Sequence, residues 1–104
     1  MQLKSEEVFL AMNDIILNKT ATIERCVKRI HEVYEGNPDT LSDYTKQDSI
    51  ILNIQRACEA SIDLAMHIVS ERKLGVPKAS REAFKLLQDA SLIDATLAKT
   101  LMNM

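Results

Sequence analysis

Asn53, Arg56, Glu59, Asp63, His67 and Ser70 follow one another at intervals of three and four. Placed at 100° steps on a helix, they fall within an arc of roughly 120°. The strip combines a guanidinium, an imidazole, two carboxylates and an amide. An imidazole beside carboxylates can move protons, and a guanidinium can hold a phosphate oxygen. The same strip would also serve as a solvated face, with Asp63 pairing to His67 at i,i+4 and Arg56 to Glu59 at i,i+3. Residue spacing alone is compatible with both.

Other groupings carry less chemistry. His31 and Tyr34 are three apart near the end of one apolar repeat and read as surface positions. The two histidines, His31 and His67, stand in no His-Glu-x-x-His or Glu-x-x-His arrangement, so no metal site is expected. Gly36 and Gly75 are isolated, so there is no phosphate-binding glycine loop, and no cofactor is expected. Cys26 and Cys58 lie far apart inside apolar repeats and read as buried free thiols.

The strip must be held by long helices. The first apolar repeat runs from about Ser5 to Tyr34 through Val8, Met12, Ile15, Ile16, Ile23, Val27 and Ile30. Ser5, Glu6 and Glu7 suit a helix start, and Gly36, Asn37 and Pro38 a stop. Thr45-Lys46-Gln47-Asp48 has capping-box form and predicts a second helix from about Lys46 to Arg72, ended by Gly75 and Pro77. On it Ile51, Ile54, Cys58, Ile62, Ala65 and Val69 oppose the polar strip, and Ile50, Ala57, Leu64 and Ile68 widen the apolar face. That helix should be central and covered on most sides. Ser80 can cap a third helix carrying Phe84, Leu86, Leu87 and Ala90. Ser91 to Asp94 can start a fourth, with Leu97, Leu101 and Met104 on one face, in phase up to the last residue.

Composition fits one small all-α domain covering 1–104. The 104 residues include only 2 Gly and 2 Pro, too few for the turns of a sandwich or barrel. Aromatics are 4% with no Trp, against an aromatic nucleic-acid platform. The net charge of -2 excludes a uniformly basic surface but leaves room for local basic patches. No stretch is apolar for the roughly 20 residues of a membrane span, and the acidic N-terminal segment does not suit a signal peptide. A cytoplasmic location without membrane contact is expected. Two helices near 30 residues, about 45 Å each, cannot be buried by two short ones. Self-association is the simplest remedy.

Several runs are similar to a known family. They are Ile15-Ile16-Leu17-Asn18-Lys19 and Ile23-Glu24-Arg25-Cys26, then Glu59-Ala60-Ser61-Ile62-Asp63-Leu64-Ala65-Met66-His67-Ile68, then Leu74-Gly75-Val76-Pro77, Ser80-Arg81-Glu82-Ala83-Phe84 and Leu97 to Met104. Across nearly the whole chain they resemble the HepT family of HEPN-domain toxins from prokaryotic toxin–antitoxin modules. The resemblance implies a HEPN-like helical bundle, with a long antiparallel helix pair plus two shorter helices. It implies a homodimer and a metal-independent endoribonuclease acting on cellular RNA, tRNA among the targets. It also implies a partner, an MntA-like nucleotidyltransferase antitoxin that AMPylates a tyrosine of the toxin. By the same resemblance Asn53, Arg56, Glu59, Asp63 and His67 become RNA-contacting or supporting candidates beside the cleft.

The family's catalytic motif is Arg, four to six residues, His, any residue, Tyr. It is expected just after the Leu101-to-Met104 pattern, so no catalytic residue transfers to this chain. Arg25 and His31 have a suitable separation, but Tyr34 comes one position late and the segment lies in the first helix, so this is read as a chance match. The chain as given is therefore expected to be inactive. A non-catalytic dimeric scaffold or partner-binding module is the alternative.

Overall fold

The computed structural model describes the backbone of residues 5–104 and the side chains of 14–104. Val8 and Met12 thus lie outside the described side chains. The first helix, α1, spans Ser5–Tyr34, as its apolar repeat predicts. A short 3₁₀ turn, Pro38–Ser42, reverses the chain. Asn37 accepts from Asp39 N there, and buried Thr40 donates its hydroxyl to Tyr34 O at 3.0 Å, tying the turn back to α1. The second helix, α2, spans Tyr44–Glu71 and lies antiparallel along α1. The short helices α3 (Ser80–Asp89) and α4 (Ala95–Met102) follow, α3 packing on α2 and α4 on α3. Long and short axes of 53 and 20 Å follow from the two long helices.

The helix boundaries depart from the capping expectations. Asp43, not Thr45, caps α2, its carboxylate accepting from Thr45 N and Lys46 N at 3.0 and 3.2 Å. A carboxylate reaches two free N–H groups at once and matches the dipole, which a Thr hydroxyl does not. Ser80 is the first residue of α3 rather than its cap; Ala79 holds the cap position without a side-chain bond. Glu82 instead accepts from Lys78 N at 2.6 Å. Asp94 itself caps α4, accepting from Leu97 N at 2.7 Å.

Helix ends form without glycine. Lys73 and Ser91 adopt φ of 55° and 61°. After α2, Leu74 N donates to Val69 O and Lys73 N to Ser70 O; after α3, Leu92 N donates to Leu87 O and Ser91 N to Gln88 O. Both are Schellman closures, which satisfy two otherwise free carbonyls each. α2 thus stops before Gly75. Gly75 has a packing role: at φ +148°, a Cβ there would stand 3.2 Å from the Leu86 side chain, so glycine lets the loop approach α3.

The main core sits at one end of the molecule. Ala65 and Val69 of α2 meet Ala83, Phe84 and Leu87 of α3, and Ile62, Leu74, Ile93, Leu101 and Met102 close around them. α4 buries Ala98 and turns Leu101 and Met102 inward, whereas Leu97 is exposed and Met104 lies beyond the helix. Of the expected Leu97–Leu101–Met104 face only Leu101 packs inward, joined by Ala98 and Met102, and the helix ends at Met102 with Asn103 as its C-cap. Along the rest of the hairpin, Cys26, Ile50, Asn53 and Ala60 are buried between the long helices.

The apolar face of α2 is covered over only half its length. Its C-terminal half carries α3, but Ile51 and Ile54 remain 47% exposed. A ten-residue helix rises about 15 Å, so α3 cannot reach them. Among the described residues, no helix is long and apolar enough to cross a membrane.

Candidate functional site: a charged groove between the long helices

Along one face of the hairpin α1 and α2 part to form a groove of about 600 Å³. The α2 wall is built from Ser49, Asn53, Arg56, Glu59 and Asp63. These recur at helical spacing, so one rigid element presents all of them on one side. The opposite wall is Lys19, Thr22, Arg25 and Arg29, again a three–four repeat. Cys26 and Ala60 line the groove as well. Both cysteines are free, with Cys26 buried and Cys58 half-buried. The small side chains of Cys26 and Ala60 let the helices approach, leaving the longer charged ones to spread along the rim.

Four of the five candidates from the sequence line this groove. Asn53 is buried, its Nδ2 donating to Ser49 O at 2.8 Å, so its amide spends one donor on its own helix. Arg56, Glu59 and Asp63 are exposed. His67 is not part of the groove. It is half-buried one turn beyond, and its Nε2 is shielded from water with no hydrogen-bond partner among the described residues. Ser70 lines a different depression, with Met66, Lys73 and Gly75.

The expected pairs within α2 do not form. Asp63 turns across the groove to Lys19, Oδ2 to Nζ 3.1 Å, rather than to His67. Arg56 and Glu59 make no ion pair among the described residues; the pairs present are Lys19–Asp63, Arg29–Glu32 and Lys85–Asp89. An exposed pair such as Lys19–Asp63 contributes about 0–1 kcal/mol. It marks the register of the two helices, placing Lys19 of α1 opposite Asp63 of α2.

The α1 wall is not apparent from the sequence. Lys19, Thr22, Arg25 and Arg29 lie beside Cys26 on α1, and their polar repeat was the available signal. Which flank of α1 faces α2's polar strip depends on the packing, however, not on α1 alone. With this wall included, the groove holds four cations (Lys19, Arg25, Arg29, Arg56) and two carboxylates (Glu59, Asp63). It is locally cationic on a chain whose net charge is -2. Two cations are partnered, Lys19 by Asp63 and Arg29 loosely by Glu32 at 3.4 Å. Among the described residues Arg25 and Arg56 have no carboxylate partner. Nor do three His, Cys, Asp or Glu side chains converge there as a metal-binding group would require. A groove of this kind can bind an anionic chain.

Comparison with known proteins supplies a context for that groove. A profile described as "Ribonuclease HepT-like" matches residues 23–104. The chain is 52% identical over 93 residues to the mRNA nuclease HepT of Shewanella oneidensis, a match covering 89% of this chain and 70% of that protein. Its structure is similar to that of a tri-AMPylated Shewanella oneidensis HEPN toxin in complex with its MNT antitoxin, with a TM-score of 0.82 and 50% identity over 86% of this chain and 68% of the other. A mutant MntA toxin–antitoxin complex gives a TM-score of 0.83 and 50% identity, covering 86% and 69% of the two chains.

Proposed function

Because the chain belongs to the HepT-like ribonuclease family, we propose that it serves as the toxin of a prokaryotic toxin–antitoxin module, an endoribonuclease directed at cellular RNA in the cytoplasm. The observation that carries this reading is the 52% identity to an mRNA nuclease, spanning 89% of the chain. The cationic groove supports it, because a nuclease must hold a polyanion before it can cut one. Asn53, Arg56, Glu59 and Asp63 are the residues assigned to RNA. His67 lies outside the groove and is assigned no contact with RNA.

Cleavage itself needs groups that the 104 residues do not assemble. No Arg-x4–6-His-x-Tyr occurs in them. In the family reading, that motif's histidine and arginine move the proton and stabilise the phosphorane during 2′-hydroxyl attack, with no metal ion required. The chain as it stands is then a binding scaffold, and two copies form the cleft. The second copy would cover Ile51 and Ile54, which stand 47% exposed on the half of α2 that α3 does not reach. The partner that silences the toxin is a nucleotidyltransferase that transfers AMP to it. The likeness to the AMPylated toxin bound to its antitoxin supports this assignment.

The test compares the 104-residue chain with a form in which an Arg-x4–6-His-x-Tyr segment follows Met104. Both are incubated with total cellular RNA in EDTA. The extended form should cut and the shorter should not. Equal cutting by both would remove the motif-dependent mechanism, and loss of all cutting in EDTA would remove metal independence. Failure of the extended form to cut RNA under any condition would overturn the nuclease reading.

A further inference from the structure

The Lys19–Asp63 contact shows which residues stand opposite one another across the groove. From Lys19, six residues along α1 lead to Arg25, a rise of about 9 Å. From Asp63, seven residues back along α2 lead to Arg56, about 10.5 Å in the same direction. The two arginines therefore spring from facing walls at nearly the same height. Ten residues from each anchor, Arg29 stands level with Asn53, about one helical turn further on.

This placement is unfavourable for the empty chain. Two guanidinium groups share one opening of the groove, both exposed, and neither has a carboxylate partner among the described residues. Glu59 is within reach of Arg56 by sequence yet leaves it unpaired. Glu59 stands about 6 Å from the Lys19–Asp63 anchor, just short of the arginines, and Asp63 is already neutralised by Lys19. Along the groove the order of charges is thus the Lys19–Asp63 pair, then Glu59, then Arg25 facing Arg56, then Arg29. A guanidinium fork fits a phosphodiester, and two of them from opposite sides enclose it.

Building on the ribonuclease reading, we propose that Arg25 and Arg56 form a two-sided clamp on one phosphodiester of a single RNA strand, with Arg29 taking the neighbouring phosphate. The strand enters at the arginine end. Glu59 repels its backbone and keeps it from running the full length of the groove. Arg25 belongs to α1, so substrate binding uses both long helices and not the α2 strip alone.

The experiment measures binding of the 104-residue chain to a 2′-O-methyl oligonucleotide that cannot be cleaved. A length of about 12 nucleotides is suitable for a single-strand site. Fluorescence anisotropy is followed across a salt series, with circular dichroism to confirm folding. Arg25→Gln and Arg56→Gln should each weaken binding several-fold and flatten the salt dependence by about 0.7, the value of one single-strand phosphate contact. The double variant should lose less than the product of the two single losses, because both side chains hold the same phosphate. Glu59→Gln should tighten binding about two- to three-fold, as removal of a nearby like charge does. Arg81→Gln, exposed on α3 outside the groove, should change nothing.

Two independent, multiplicative losses with unequal salt slopes would overturn the clamp while leaving RNA binding in place. So would an equal loss on Arg81→Gln. Competition by polyglutamate as effective as by RNA would overturn the choice of occupant in favour of an acidic protein. Absence of any oligonucleotide binding by the unaltered chain would overturn the clamp, and with it the role of this groove in RNA binding. The nuclease reading would then rest on the cleavage assay alone, so the two failures are distinguishable.

Discussion

The two halves of α2 have the same kind of sequence and very different surroundings. In the C-terminal half, Ala65 and Val69 are sealed against Ala83, Phe84 and Leu87. In the N-terminal half, the equivalent side of the helix carries Ile51 and Ile54 at 47% exposure, and its polar flank carries Asn53, Arg56 and Glu59 into the charged groove. One end of the helix is held by the chain's own short helices. The other presents an apolar face on one side and a cationic groove on the other. Stability and recognition are thus separated along one helix, so they can be altered separately.

The largest effect should come from the packed end. Phe84 is 2% exposed and sits inside the cluster, so Phe84→Ala removes buried apolar volume that its neighbours cannot refill. A loss of about 3–5 kcal/mol is expected in urea denaturation. Ile54→Ala, at the open end, should cost about 1 kcal/mol or less in the isolated chain. Equal losses at the two sites would show that the open face is covered in solution by something already present.

Next in size is the open face itself. If a second copy covers it, Ile51→Lys combined with Ile54→Lys places charge in the middle of an apolar contact. Sedimentation should then shift from dimer to monomer while the helical circular dichroism signal is kept. A dimer that survives both lysines must be built on another face.

Part of this arrangement is written in the sequence and part arises only on packing. The helix pair and the α2 strip were legible, because a period of 3.6 is local and long. Asn53, Arg56, Glu59 and Asp63 needed only one helix to be placed together. Lys19, Arg25 and Arg29 were not legible as their partners, because their facing depends on the register across the hairpin. That register is set by the length of the Pro38–Ser42 turn and by packing around Cys26 and Ala60. His67 has the right angle on the helical wheel, but the groove ends at Asp63, one turn before it. The exposure of Ile51 and Ile54 follows from the reach of α3, a property of three dimensions and not of α2.

The smallest expected effect concerns the start of the open half. Two residues compete for the role of cap: Thr45, which the capping-box pattern favours, and Asp43, whose carboxylate accepts from Thr45 N and Lys46 N. Asp43→Ala strands both N–H groups and removes a negative charge from the positive end of the helix dipole, a cost of about 1 kcal/mol. Thr45→Ala loses no bond seen in the structure and should change stability by less than about 0.5 kcal/mol. Urea denaturation at one fixed protein concentration separates the two, since self-association would otherwise shift the midpoint. A larger loss for Thr45→Ala would mean that the helix starts two residues later in solution. Because Ser49, Asn53 and Arg56 are positioned by that first stretch of α2, Asp43→Ala should also loosen the arginine end of the groove before it affects the packed end.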